Sequence, residues 1–457
     1  MKNKILFIVP DGVGIRNYLY SSVFDVLYQK AEVVIYTPLP EKAILEAVNH
    51  KAVEVQKFIF DRESIITKVF REAATFARLL HNARLVKNDT ILTNWNYKPK
   101  GIKLKIVNRL TMLFGRWATK KYARILSFER IANSGWSNKV IEKHVKHLQV
   151  TNPSKIFITH QRVASIMPIC IAAKKLNIEV ISVIYSWDNL PKARLAVTAD
   201  KYLVWSDYMK AEMTKYYPEI DSNAIIVTGT PQFEFYQNSE NIIEKNIFYK
   251  KYNLDINKKI ICYSGDDTLT CPDDPKYLSD LAEEILKNKL DKEYQILLRR
   301  CPVDISGRFD NIVKKYSTII KEATPIWNFK ENESWTSVYP LQEDIKLLVS
   351  TAYYSELVIN LGSTMAFDFA MFKKPSVYVN YNQSKKVVSN WFVDKIYNFE
   401  HFKTMNDKNA VYWWSDKAEI VDILNNAQYN QAMNQWCNLV LQDYDKASNK
   451  IITELLS

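Results

Sequence analysis

Short apolar runs recur along this chain, each bounded by polar or turn-forming residues and separated by longer stretches with helical spacing. Residues 5–9, 33–36, 90–92, 156–159, 180–185, 202–205 and 225–228 form a first series. Residues 260–263, 296–299, 318–320, 357–359 and 377–379 form a second. Most of the runs are continuously apolar, as expected of strands buried on both faces. Alternation of such strands with helices predicts an α/β protein whose parallel sheets are covered by helices on both sides. A polar stretch, QNSENIIEKN at 237–246, separates the two series and reads as a linker. The pattern predicts two doubly wound Rossmann-like domains, 1–236 and 247–416, facing across a cleft, with further helices over 417–457. No internal repeat or low-complexity segment interrupts it.

Glycine usage sharpens this picture. The 457-residue chain has nine glycines, and five of them follow strand-like runs, in ILFIVPDGVG, IIVTGT, IICYSG and LVINLG. That is the place where a parallel strand turns into a helix or approaches a ligand. The five cysteines are scattered without a C-x-x-C spacing, which suggests neither a disulfide frame nor a zinc site. No apolar run is long enough to span a membrane, and MKNKILFIVPDG reads as a first strand rather than a signal peptide. The expected location is cytoplasmic.

The net charge of +12 is concentrated in one place. Residues 61–150 hold nineteen lysines and arginines against six acids. Within them, 98–124 sets Ile102, Ile106, Leu110, Leu113, Phe114 and Trp117 at helical spacing among basic residues such as Lys103 and Lys105. Two readings fit. One is a basic amphipathic helix that meets an anionic membrane surface, on the inner face of the plasma membrane, or another polyanion. The other is a core-facing helix with a solvated basic back. No nucleic-acid-binding motif appears, so nucleic acid is not an expected partner.

The stretch ELVINLGSTMAFDFAMFKKPSV at 356–377 carries the most specific chemistry. A strand runs into Gly362-Ser363-Thr364, and a helix is expected to begin near Thr364. The turn's N–H groups and the two hydroxyls suit a phosphate, and glycine lets it approach the backbone. Asp368, one turn on, suits a sugar diol. The alternative is a capped helix with Asp368 facing water.

INLGSTMAFDFAMFKKPSVYVNY resembles the donor-binding segment of GT-B glycosyltransferases, with its strand, Gly-Ser-Thr turn, acid-bearing helix and Lys-Pro. YPLQEDIKLLVSTAYYSELVIN and SWDNLPKARLAVTADKYLVWSDYMKAEM…VTGTPQFEFY resemble neighbouring parts of bacterial surface-polysaccharide members, those of capsule and lipopolysaccharide. The resemblance covers most of 180–382. It implies that Gly362, Ser363 and Thr364 hold the donor diphosphate and Asp368 the ribose. It places Ser264 and Gly265 on the other side of the phosphates, and Trp335, Val338 and Tyr339 beside the nucleobase. Related enzymes with CMP- or CDP-linked donors often carry His-Pro where this chain has Cys301-Pro302, which points to a UDP-sugar. Many retaining members carry two glutamates around the turn, matched here by Asn360 and Asp368, which points to inversion.

Sugar transfer needs a stabilised leaving diphosphate and a base for the acceptor hydroxyl. Arg299 and Arg300, at a strand end, are the candidate cations. Asp11, His160 and Asp188 each follow a strand and are the candidate bases, in that order. Arg16 and Asn17 are placed to meet acceptor or phosphate. The Asp443/Asp445 pair falls on an expected C-terminal helix rather than after a strand, so no metal site and no cofactor are expected. The leading expectation is a metal-independent, inverting glycosyltransferase that takes a nucleotide-sugar donor and a polysaccharide or lipid-linked glycan acceptor. The rivals are a sugar-nucleotide epimerase, a CDP-linked polyol-phosphate transferase and an inactive nucleotide-sugar-binding module. The epimerase would need a dense set of acids and a histidine, which the sequence does not display.

Overall fold

The computed structural model describes residues 3–95, 101–328 and 338–457. The chain forms two compact units. Unit 1 comprises 1–231, 399–401 and 440–457; unit 2 comprises 232–398 and 402–439.

Unit 1 is built on a seven-stranded sheet of order β3-β2-β1-β4-β5-β6-β7. Its strands are β1 (Lys4–Ile8), β2 (Glu32–Thr37), β3 (Glu54–Lys57), β4 (Lys155–Ile158), β5 (Glu179–Val183), β6 (Lys201–Val204) and β7 (Ile225–Val227). Every pairing is parallel. Unit 2 carries a six-stranded sheet of order β10-β9-β8-β13-β14-β15, again parallel throughout. Its strands are β8 (Lys259–Ser264), β9 (Tyr294–Arg299), β10 (Ile320–Glu322), β13 (Ser355–Asn360), β14 (Ser376–Val379) and β15 (Tyr412–Trp414). A small antiparallel pair, β11 (Trp327–Asn328) and β12 (Tyr339–Pro340), lies beside it in sequence. Each sheet therefore has the doubly wound order that reverses once, at β1/β4 in unit 1 and at β8/β13 in unit 2. In open α/β sheets, ligands bind beyond the carboxyl ends of the strands at such points of reversal.

The central strands are buried, as their uninterrupted apolar runs require: Ile5 to Val9 and Ile260 to Tyr263 have no exposed surface. The edges differ from expectation. Residues 90–92 are not a strand but part of a 3₁₀ helix, Asp89–Asn94, whose start is capped by the Asn88 side chain on the Thr90 N–H at 3.1 Å. Strand β3 lies on the sheet edge, and its mixed sequence EVQK has no apolar run to reveal it. Segment 237–246 is not bare linker: it contains a 3₁₀ turn at Ser239–Asn241, and Glu244 caps the next helix through the N–H groups of Asn246 and Ile247. Asp443 and Asp445 sit in a turn before the last helix, not within it, Asp443 with φ +52.

Between β3 and β4 lie the helices Ile65–Val86, Ile102–Ala118, Tyr122–Ser134 and Asn138–Thr151. Lys98 and Lys100, the start of the expected basic helix, lie outside the described residues. Buried Arg78, on the first of these helices, ties it to the helix Tyr122–Ser134 and to residues 217–219 of the same unit. It pairs with Glu129 and Glu219, donates to the Tyr122 hydroxyl at 2.8 Å and stacks 4.6 Å above the Tyr217 ring.

Candidate active site

Beyond β1 and β4, at the reversal of the first sheet, Asp11 and His160 meet. Asp11 has extended backbone and caps the turn that follows: its Oδ1 accepts from the N–H groups of Val13 and Gly14 at 3.0 and 3.2 Å. Its Oδ2 is hydrogen-bonded to Nδ1 of His160. The carboxylate is thus fixed from two sides. Close packing of this turn requires Gly14, because a Cβ there would lie 2.5 Å from Thr159 Oγ1. The His160 ring packs on Tyr185, centroids 4.1 Å apart. Its Nε2 is buried and has no partner among the described residues. An orphaned ring nitrogen in a packed interior asks for a ligand or a chemical role. With Nδ1–H held by a carboxylate, Nε2 carries the lone pair and can act as a base.

The third candidate base, Asp188, is held in a separate set of hydrogen bonds that starts at Gln161, next in sequence to His160. Gln161 donates from Nε2 to Asn189 Oδ1 at 3.0 Å, and Asn189 donates from Nδ2 to Asp188 Oδ1 at 2.8 Å. Asp188 also accepts from the Ser186 hydroxyl at 2.6 Å and pairs with Lys192. Burial alone would raise the Asp188 carboxyl, but Lys192, His401 and Ser186 hold it well below the usual carboxylate range. Asp188 is therefore a fixed anion and a poor base. His401, edge-on to Trp187 at 4.7 Å, is pushed down to about 4 by burial, against the pull of Asp188.

The sequence reading missed Glu212 and Glu400. Glu212 lies on the helix Asp207–Tyr216 and is buried with Met209, Met213 and Tyr216. Burial, then the proximity of Glu400, pushes its carboxyl up to about 8. Glu400 accepts from Asn88 Nδ2 at 2.7 Å. The signal was present: an acid at 212 shares the helix face of Met209, Met213 and Tyr216, where a charge is costly. Unit 1 thus brings Asp188, Glu212, Glu400 and His401 within electrostatic reach of one another, besides the Asp11–His160 pair. The premise that no dense set of acids and histidines exists is corrected. Arg16 is half-buried and Asn17 fully buried in a π-helical turn, Ile15–Leu19, with Asn17 Oδ1 unpartnered among the described residues. π-helical turns recur at functional sites.

In unit 2 the Gly-Ser-Thr turn follows β13 at the reversal of the second sheet. Gly362 has φ +69, and a Cβ would meet Phe402 Cζ at 2.8 Å. Asn360 Oδ1 accepts the Ser363 N–H at 2.8 Å, and Ser363 Oγ accepts the Met365 N–H at 3.3 Å. Two amides expected at the phosphate are therefore engaged within the turn. Gly362 and Ser363 are half-buried and Thr364 is exposed, so the corner is open. The helix is short, Met365–Ala370, and starts one residue later than expected. Asp368 does not face water: it is buried, and the Tyr236 hydroxyl donates to its Oδ1 at 2.6 Å.

The other donor-side candidates are more deeply committed. Ser264 ends β8 and is buried; Gly265 packs on Phe309, whose Cζ would lie 2.9 Å from a Cβ. Arg299 donates from Nη2 to both oxygens of Asp344 at 3.0 and 2.9 Å, and Arg300 pairs with Asp310 and Glu322 at 2.6 Å. Both arginines are thus held by carboxylates. Arg308, not singled out from the sequence, donates to Asp304 Oδ2 at 2.5 Å and to the Asp266 carbonyl at 2.6 Å in the loop beyond β8. Burial pushes neighbouring Asp274 up to about 6. Val338 and Tyr339 are buried, with the Tyr339 hydroxyl accepting from Asn328 Nδ2 at 2.6 Å; Trp335 lies outside the described residues. Lys103, Lys105 and Trp117 are exposed on the helix Ile102–Ala118. Among the described residues no three His, Cys, Asp or Glu side chains are grouped as a metal ion would require.

The sequence matches no protein-family model and shows no significant similarity to any curated protein. Solved structures do resemble the fold. The UDP-GlcNAc 2-epimerase of Methanocaldococcus jannaschii aligns over 100% of both chains at 11% identity and TM-score 0.54. S. aureus MnaA, solved with UDP, aligns over 99% of this chain and 96% of its own at 12% identity and TM-score 0.51. A glycosyltransferase from Rickettsia africae aligns over 100% and 99% at 13% identity and TM-score 0.51. The chain has the GT-B fold, with two Rossmann-like domains of parallel sheet.

Proposed function

We propose that this chain is a nucleotide-sugar enzyme whose general base is His160, positioned by Asp11. The observation that carries this reading is the Asp11–His160 pair at the reversal of the first sheet, with Nε2 buried and unpartnered among the described residues. As a glycosyltransferase, the enzyme binds a UDP-sugar and a glycan or lipid-linked acceptor. Nε2 takes the proton of the acceptor hydroxyl as that oxygen attacks the anomeric carbon. The bond from that carbon to the diphosphate breaks, and UDP leaves with the electron pair. Asp11 holds the Nδ1–H and stabilises the imidazolium. This is a single, inverting displacement without a metal, in a cytoplasmic protein. The open Gly362-Ser363-Thr364 corner, which resembles a donor-binding segment, is the proposed diphosphate element, and Asp368 the proposed ribose ligand.

A specific observation favours a second reading. Epimerisation at C2 of a UDP-sugar can proceed by loss of the C2 proton as the C1–O bond to UDP breaks, followed by return of a proton to the other face as UDP re-adds. It needs acids and bases, and unit 1 holds Glu212, Glu400 and His401 besides the dyad. Epimerases of UDP-GlcNAc are also among the proteins whose fold it resembles. One incubation separates the two readings. The protein is mixed with UDP-GlcNAc in D2O without acceptor, and sugars are analysed by NMR. Transfer predicts no deuterium at C2 and UDP release only once an acceptor glycan is added; deuterium at C2 with a 2-epimer would establish the epimerase and overturn the transferase.

A further inference from the structure

The helix Ile102–Ala118 reverses the usual order of a surface helix. The residues it buries are small or polar: Thr111, Gly115 and Ala118. It lies so close to the helix Ile65–Val86 that a Cβ on Gly115 would sit 2.8 Å from Phe76 Cδ1 and 2.9 Å from the Ala73 carbonyl oxygen. The large apolar residues point the other way. Ile102 is 78% exposed, Ile106 52%, Leu110 47%, Leu113 56% and Trp117 48%. At 3.6 residues per turn these five fall on one stripe about 25 Å long. Lys105, Arg109 and Arg116 fall together along one flank of it, and all three are exposed. From Gly101 to Arg124 the sequence holds seven basic residues and no acid.

Where this helix meets the helix Ile65–Val86, Ile65, Val69, Leu104 and Val107, with Lys68 and Glu72, line a groove of about 200 Å³, and Ile65 is itself 77% exposed. An exposed apolar stripe of this length is rare on a soluble monomer unless something covers it. Its charge identifies the cover. A protein partner could be neutral or acidic, but an apolar stripe flanked by cations, on a helix that carries no acid, matches a surface that is apolar inside and anionic at its rim. No described helix is long and apolar enough to cross a membrane, so this element lies on a bilayer rather than through it.

We propose that the Ile102–Ala118 face docks on an anionic lipid surface, its apolar stripe entering the acyl boundary and Lys105, Arg109 and Arg116 meeting the headgroups. This is independent of which reaction the protein catalyses. The test is flotation of the full chain with phosphatidylcholine vesicles, with and without phosphatidylglycerol. Wild type is expected to bind the anionic vesicles ~10-fold or more tighter than the neutral ones, and less as salt rises. Ile106→Gln/Leu110→Gln/Leu113→Gln, all at exposed positions, is expected to melt like wild type and lose most of that binding. Lys105→Gln/Arg109→Gln/Arg116→Gln is expected to flatten the salt dependence, and Lys289→Gln/Lys292→Gln, in unit 2, to change nothing. Unchanged binding by the apolar triple variant overturns the proposal, as does equal binding to both vesicles. A dimer that the triple variant abolishes, with no vesicle binding by wild type, assigns the face to a second copy of the chain and overturns it as well.

Discussion

At the scale of single residues, the Asp11–His160 pair makes a graded prediction. His160→Ala removes the proposed base and is expected to lower kcat about 10²–10⁴-fold with little change in melting temperature. Asp11→Asn keeps the shape but reverses the hydrogen-bonding preference at His160 Nδ1, so it is expected to lower kcat as well and to shift the acidic limb of the pH–rate profile. A merely structural Asp11 would lower stability and leave that limb in place. Glu212 gives a second residue-scale prediction, this time in stability. Its carboxyl is raised from the ordinary range to about 8 in the folded state. Between those values the folded protein holds a proton that the unfolded chain has released. Stability from this group is therefore present at low pH, falls as pH rises towards about 8, and is flat beyond. Glu212→Gln should remove that slope and raise stability at pH 8 by an amount on the order of a few kcal/mol, read from urea melts across pH. An unchanged slope would mean that Glu212 is ionised in the fold. Asp11 and His160 were legible in the sequence because each follows an apolar run, and a parallel sheet exposes its functional edge there. Their contact was not legible, because 149 residues separate them and only the β1–β4 pairing brings them together.

Elements were legible in proportion to their burial. The central strands β1, β4, β8 and β13 announce themselves as apolar runs, since both faces of each are covered. Edge strand β3 has one apolar residue in four, and β15 consists of aromatics that read equally well as packing, so neither carries a distinguishing pattern. Residues 90–92 misled for the opposite reason. Their β-branched character suits a strand, but the Asn88 cap bends the backbone into a 3₁₀ turn. The basic helix shows a subtler limit. Its periodicity predicted the helix but not which face turns inward, because the usual assumption buries the large apolar side. Gly115 decides that orientation, and it can be tested without lipid. Gly115→Val inserts atoms against Phe76 and the Ala73 carbonyl, and is expected to cost about 1–3 kcal/mol. Leu113→Gln, two residues earlier on the exposed side, is expected to stay within about 0.5 kcal/mol of wild type. Equal losses in thermal melts would mean that both faces are packed.

At the scale of the whole molecule, the chain does not divide where its sequence pattern divides. The last eighteen residues, which follow a long run of unit 2, belong to unit 1. Their helix Ala447–Leu456 packs against the helix Ser22–Lys30 and buries Ile451, Ile452 and Leu455. Lys201 pairs with Glu454 at 2.9 Å, and Lys155 donates to the Glu454 carbonyl at 3.0 Å. The preceding turn lies so close to Gly229 that a Cβ there would meet the Gln442 carbonyl oxygen at 3.0 Å. No local pattern could reveal this, since a polar-apolar helix fits any sheet face of the right shape. The energetics make the attachment decisive. Each large apolar side chain buried is worth about 1.5–3 kcal/mol, so three of them approach the whole net stability of an ordinary domain, about 5–15 kcal/mol. A fragment ending at Pro231 should therefore be unfolded or aggregated, although it contains every strand of the first sheet. The same fragment joined by a flexible linker to residues 440–457 should fold, with a cooperative melt and native-like circular dichroism. Ile451→Asp in the full chain should lower the melting transition that is followed by hydrogen exchange in β1 and β4, and leave exchange in β8 and β13 unchanged. If the short fragment folds as well as the rejoined one, the tail is an ornament of unit 1 rather than part of its core.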